Sequence, residues 1–249
     1  MKEKGVKKVN KINLVKDGKN MGILEVKNLS NRKAELVIYG NIAATEFDKY
    51  EDEDIAPSDI KGLLESINGL DLDIYINSSG GNVFAGIAIY NMLKRHTGYK
   101  RIFIDGVAAS IASVIAMVGD EINIPANSYI FIHKAWDVVS GNADNLREKA
   151  AIFDRLDKTL LSIYMTKVKE GIEEATIEKM MAETKWLNGF EAAQYFNVNT
   201  TESNQAVACL DEENCKLYRV PEGLLKNKIE NVEKVKVEKI KTALLLEIA

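Results

Sequence analysis

From residue 35 to residue 133 the chain alternates between two hydrophobic rhythms, and that alternation limits its fold more than any other feature. Short runs rich in β-branched residues, bounded by glycine, asparagine and aspartate, are separated by longer runs with helical spacing. ELVIYG (35–40), DLDIYIN (71–77), RIFIDG (101–106), EINI (121–124) and YIFIH (129–133) read as strands. VFAGIAIYNMLKRH (83–96) and ASIASVIAMVG (109–119) read as helices. Such a β-α-β succession argues for a mainly parallel sheet covered by helices, so the spacing predicts an α/β domain.

Downstream, residues 142–169 carry one long helical pattern with Leu146, Ala150, Phe153, Leu156, Leu160, Ile163 and Tyr164 on its apolar stripe. Near-heptad spacing over that length exceeds what one small domain needs, so the far half of this helix is expected to pack against another subunit, the alternative being a long helix lying across its own domain. Shorter helices are expected at 176–184 and 188–196. Residues 1–34 read as an N-terminal extension with one or two short strands, residues 35–198 as the principal domain, and residues 199–249 as a polar, charged tail or helix.

Composition narrows the function classes. A formal net charge of -4, with no strong basic stripe in the core of the chain, gives no reason to expect a nucleic-acid partner. The longest apolar run, residues 107–118, is too short to span a bilayer, and the basic start lacks a signal-peptide core. Cys209 and Cys215 lie far from either histidine and form neither a metal constellation nor a disulfide framework. The expectation is a cytoplasmic protein with no metal, cofactor or membrane partner.

Parallel α/β proteins place their sites at the carboxyl ends of strands, and three strand ends here carry unusual residues. SSGG (78–81) follows the first, Ser110 the second, and His133 ends the third. Each has a simpler reading, as a tight turn, a helix cap or a structural histidine. Together they are the parts of a serine hydrolase: a hydroxyl nucleophile, an imidazole base, and backbone amides of the glycine loop and of Ile111 to hold an oxyanion. The other histidine, His96, ends an amphipathic helix beside Lys94 and Arg95 and reads as a surface residue. A serine–lysine pair using Lys134 is disfavoured, because strand alternation turns Lys134 away from the face of His133. Ser113, one turn beyond Ser110, reads as a small packing residue.

The stretches INSSGGNVFAGIAIYNML, DGVAASIASVIAMVGD and YIFIHKAW…SGNADNLREKA, in that order, resemble the ClpP family of self-compartmentalising serine proteases, above all its phage and prophage head-maturation relatives. The likeness runs from about residue 35 to residue 198. It implies a ββα superhelix shared with crotonases, with residues 142–169 as a long handle helix between stacked rings and a substrate-pairing strand near VVSGNA. It places the nucleophile on Ser110, the general base on His133, and the oxyanion amides on Gly80 and Ile111. Three departures stand out. Ser79 replaces a frequent proline. Thr184, with Glu183 adjacent, falls where the family carries the aspartate that orients the base, so the resemblance assigns that third catalytic role to Thr184 or Glu183. No segment matches the axial loops or docking sites that recruit AAA+ unfoldases. The implied activity is a serine endopeptidase, assembled as a heptamer or stacked rings, that trims phage capsid or scaffold proteins. The alternatives are a catalytically silent ring subunit and a crotonase-fold acyl-CoA enzyme.

Overall fold

The computed structural model describes residues 12–16, 19–24, 33–67 and 69–201; Cys209, Cys215 and the charged C-terminal segment lie outside them. Strands β1 (Ile12–Lys16) and β2 (Lys19–Leu24) form an antiparallel pair. The main sheet begins with β3 (Lys33–Ile42), β4 (Asp71–Gly81) and β5 (Lys100–Ala109), which run parallel. β6 (Glu121–Pro125), β7 (Tyr129–Ile132), β8 (Lys185–Asn188) and β9 (Asn199–Thr201) complete seven strands, all parallel to their neighbours except the β7–β8 pair. Helices α1 (Pro57–Ile67), α2 (Val83–Arg95), α3 (Ile111–Ala116), α4 (Ala143–Met165), α5 (Glu174–Ala182) and α6 (Gly189–Tyr195) accompany them.

The side-chain pattern dictates these layers. On β3, Ala34, Leu36, Ile38 and Ile42 point inward and their neighbours do not, the period-two signature of a sheet with one covered face. β5 begins with the same alternation at Ile102 and Ile104, then buries four consecutive residues, Gly106 to Ala109. Its two halves have different partners. Residues 101–103 pair with β6, whereas residues 107–109 pair with β7. The change follows an irregularity in the β4–β5 ladder, where Ile76 pairs with Ile104 but Ser78 with Ala108, and the Asn77 side-chain oxygen accepts the Val107 amide at 3.2 Å. Extra residues on one strand bend it, and here the bend carries the end of β5 away from β6 toward β7.

The α/β expectation therefore holds, with differences of detail. α1, strand β8 between the two short helices, and the three-residue β9 were not legible in the sequence. β4 runs on through the glycines, so SSGG is strand and not loop: Asn41 pairs with Gly80 and Ile42 with Gly81. The helix expected from residue 109 starts only at Ile111 and lasts six residues. The expected strand near VVSGNA is absent, and residues 133–142 have no regular secondary structure in the single chain. The long helix begins at an Asn142 cap whose side chain accepts the Asp144 and Asn145 amides. The far half of α4 does not face outward as the spacing predicts: Leu156, Leu160, Ile163 and Tyr164 are buried in this domain, because that half packs on the core, whereas the first turns are exposed, Leu146 to 43%.

Candidate active site

Ser110 stands where β5 gives way to α3, with φ 54° and ψ -129°. A non-glycine residue at positive φ costs about 1–3 kcal/mol and persists only where its surroundings hold it. Three contacts do so. The Ser110 amide donates to the Phe131 carbonyl at 2.9 Å, tying the turn to β7. The Ser110 carbonyl accepts from the Ser113 amide at 3.0 Å and from the Ser113 hydroxyl at 2.6 Å. The Tyr164 hydroxyl from α4 lies 2.7 Å from Ser113 Oγ. Ser113 has one proton, directed at the nearer carbonyl, so the buried phenol is the donor in that contact. Burial pushes the Tyr164 phenol far above its ordinary range, which keeps it a donor at every physiological pH. Ser113 is therefore a hydrogen-bond hub under the turn, where its spacing suggested only a small filler.

Two glycines let neighbouring segments close on the turn at Ser110 and Ile111. Gly80 has φ +97°, and a Cβ there would sit 2.7 Å from both the Ala109 oxygen and the Ser110 Cβ. The Ile111 nitrogen is 3.2 Å from the same point, so the Gly80 and Ile111 backbones border one space beside Ser110. The Gly80 amide itself donates to Ser78 Oγ at 3.2 Å, a long neutral hydrogen bond that a charged oxygen would displace at little cost. Gly86, inside α2, has the second role: a Cβ there would overlap the Ile111 side chain. A glycine in the middle of a helical pattern is the sequence signal for such close approach.

His133 follows β7 directly, at the same end of the sheet as Ser110, because β5 and β7 are parallel with Ala109 opposite Phe131. The imidazole is 8% exposed and stacks on Phe131, whose ring stacks in turn on Trp186 of β8. Nδ1 lies 2.6 Å from the Lys134 carbonyl. A carbonyl only accepts, so Nδ1 carries the proton and the neutral ring keeps its lone pair on Nε2. Burial lowers the imidazole pKa, and the bond to the Lys134 carbonyl opposes that only in part. Burial thus favours the neutral ring, and the carbonyl fixes its proton on Nδ1.

The acceptor on Nδ1 is a main-chain carbonyl, whereas the family resemblance implies Thr184 or Glu183. Glu183 is exposed, and its carboxylate lies 3.0 Å from Lys185 Nζ and 3.7 Å from Lys179 Nζ, cations that hold it below the ordinary carboxylate range. Thr184 is exposed at φ 54° between α5 and β8. The Lys134 side chain is half exposed, with Nζ 3.8 Å from Asp157 of α4. His96 is structural: it caps α2, and its Nε2 donates to the Leu70 carbonyl at 2.6 Å. Among the described residues, no three metal-ligating side chains gather, and no helix is long and apolar enough to cross a membrane.

A parallel α/β domain that brings a serine on a strained strand-to-helix turn and a buried histidine to the same end of its sheet offers the parts of a hydrolase site. Comparison with known proteins narrows the class. The family model described as Clp protease matches residues 52–200, more than half of the sequence, and the chain belongs to that family. It is 30% identical over 138 residues to the ATP-dependent Clp protease proteolytic subunit of Bacteroides thetaiotaomicron, covering 53% of this chain and 60% of that protein. It is 31% identical over 130 residues to the subunit of the same name from Porphyromonas gingivalis, and 36% over 106 residues to that of Deinococcus radiodurans. Those matches cover 51% and 41% of this chain and 57% and 52% of the relatives. The chain thus spans three-fifths or less of the length of these three curated relatives.

Proposed function

We propose that the protein is a serine endopeptidase in which Ser110 attacks the peptide carbonyl and His133 acts as general base. The observation that carries this reading is the strained backbone of Ser110 directly after β5, next to the strand that leads into His133. Nε2 takes the Ser110 proton as Oγ bonds to the carbonyl carbon, and the carbonyl oxygen becomes an oxyanion facing the Gly80 and Ile111 amides. The imidazolium then protonates the leaving amine, an acyl-enzyme forms at Ser110, and water activated by the same imidazole releases the acid. Each step uses side chains and amides of this chain alone.

The exposed first turns of α4, with Leu146, and the exposed Trp136 and Val138 before it support a ring assembly in which these surfaces meet other subunits. The substrate class is a peptide or unfolded protein. By resemblance to the phage relatives, the substrates are capsid or scaffold proteins cut in a bacterial cytoplasm without an ATP-driven unfoldase. Fluorophosphonate labelling with peptide mapping, on protein of known native mass, tests the reading. Modification at Ser110 in a ring-sized assembly is expected, with loss of labelling and of peptide cleavage in Ser110→Ala. Cleavage that survives Ser110→Ala would sink the mechanism. A ring that never labels would identify a catalytically silent subunit instead.

A further inference from the structure

The peptide group joining Lys134 to Ala135 is held from both sides. Its carbonyl accepts the His133 Nδ1 proton at 2.6 Å, and its N–H donates to Asp157 Oδ1 at 2.7 Å. Asp157 reaches it from α4, twenty-two residues further along the chain, and its other oxygen lies 3.8 Å from Lys134 Nζ. The preceding peptide is fixed as well, since the Lys134 amide donates to the Met181 carbonyl of α5 at 3.2 Å. Both peptides that follow the imidazole are therefore clamped by other elements, one of them by a carboxylate.

We propose that Asp157 is the positioning residue for His133, orienting and polarising the imidazole through the Lys134–Ala135 peptide without touching it. The inference rests on the reading of Ser110 and His133 as the working pair. A carboxylate that accepts from an amide N–H draws the amide dipole toward itself and enriches the carbonyl oxygen at the other end, which makes that oxygen a better acceptor for Nδ1–H. When Nε2 gains the proton of Ser110, Nδ1–H becomes a charged donor, and the negative charge behind the peptide stabilises the cation. The side chain at 184 is a threonine and supplies no such charge.

Other charges border this segment. Lys134 opposes Asp157, Asp154 lies one turn earlier on α4, Lys185 of β8 stands opposite Ile132, and Glu183 with Lys179 closes the end of α5. Glu183 pairs with Lys185 and Lys179, which leaves Asp157 as the carboxylate hydrogen-bonded to a peptide that also contacts the imidazole. Burial raises the Asp157 pKa, and the Ala135 amide and Lys134 pull it back toward the ionised form.

Asp157→Asn keeps an oxygen acceptor for the Ala135 amide and removes the charge. The chain has only two histidines, so the His133 imidazole can be titrated by NMR in carbon-labelled assembled protein, with His96→Gln fixing the assignment. Its midpoint is expected to fall in Asp157→Asn and to stay in place in the control Asp154→Asn. The limiting rate of Ser110 labelling, read where His133 is neutral in both proteins, is expected to drop about 10-fold. A His133 midpoint equal to that of the unmodified protein overturns the proposal whatever the rate, because a merely structural contact would lower activity without moving it. Should Asp157→Asn fail to assemble, Asp157→Ser carries the same test with a smaller acceptor. A lowered midpoint in a protein whose unmodified form never labels would leave the coupling standing and refute the serine–histidine reading instead.

Discussion

The hydrogen-bond hub beneath Ser110 gives a quantitative test of what holds the strained turn. Ser113→Ala removes the hydroxyl that bonds the Ser110 carbonyl at 2.6 Å and lies 2.7 Å from the Tyr164 phenol. The Ser110 carbonyl retains the Ser113 amide at 3.0 Å, so its loss is modest. The phenol fares worse: Tyr164 is 1% exposed, and its hydroxyl is left without the acceptor it has here. An orphaned buried donor costs the full desolvation of the group, so Ser113→Ala is expected to destabilise by about 2–3 kcal/mol. Tyr164→Phe removes the donor and fits the same space, which should cost about 1 kcal/mol. In the double variant no orphan remains, and the total should be about 2 kcal/mol, well below the sum of the singles. Urea unfolding at matched protein concentration and oligomeric state measures all three. The singles should also label more slowly at Ser110, since the turn is less firmly held. Additivity within about 0.5 kcal/mol would refute the reasoning, because independent losses mean that the Ser113–Tyr164 contact is not coupled.

Two further outcomes follow from the same geometry. Gly86→Ala improves helix propensity by about 1 kcal/mol, yet its Cβ would overlap Ile111, so a net destabilisation of about 1–3 kcal/mol with slower Ser110 labelling is expected; a thermal midpoint above that of the unmodified protein would contradict the close packing of α2 on α3. Burial lowers the His133 pKa in the folded state, so between that value and the ordinary imidazole value of about 6.5 the unfolded chain binds more protons and stability rises with pH. The His133 contribution is complete above the ordinary value and is lost as pH falls toward the folded one, and replacing His133 with glutamine should flatten that limb of the stability curve.

The alternation of short apolar runs from residue 35 to 133 determines strands, helices and their parallel layering, because backbone periodicity is a local property that no distant contact needs to complete. The same reading marks Ser110, His133 and the glycines at strand ends, where parallel sheets expose their loops and binding groups. Irregular backbone was not legible in this way. That the glycines belong to β4, that α3 starts only after Ser110, and that β8 lies antiparallel to β7 depend on ladder partners far away in sequence. The support of the site is likewise tertiary. Tyr164 and Asp157 read as members of an ordinary amphipathic helix. Only the packing of α4 against α3 and against the segment after β7 brings a phenol under Ser110 and a carboxylate to the peptide behind His133. Local pattern marked the candidate groups, whereas the groups that contact them were chosen by three-dimensional packing, because a hydrogen bond from a helix to a distant turn leaves no period in the chain.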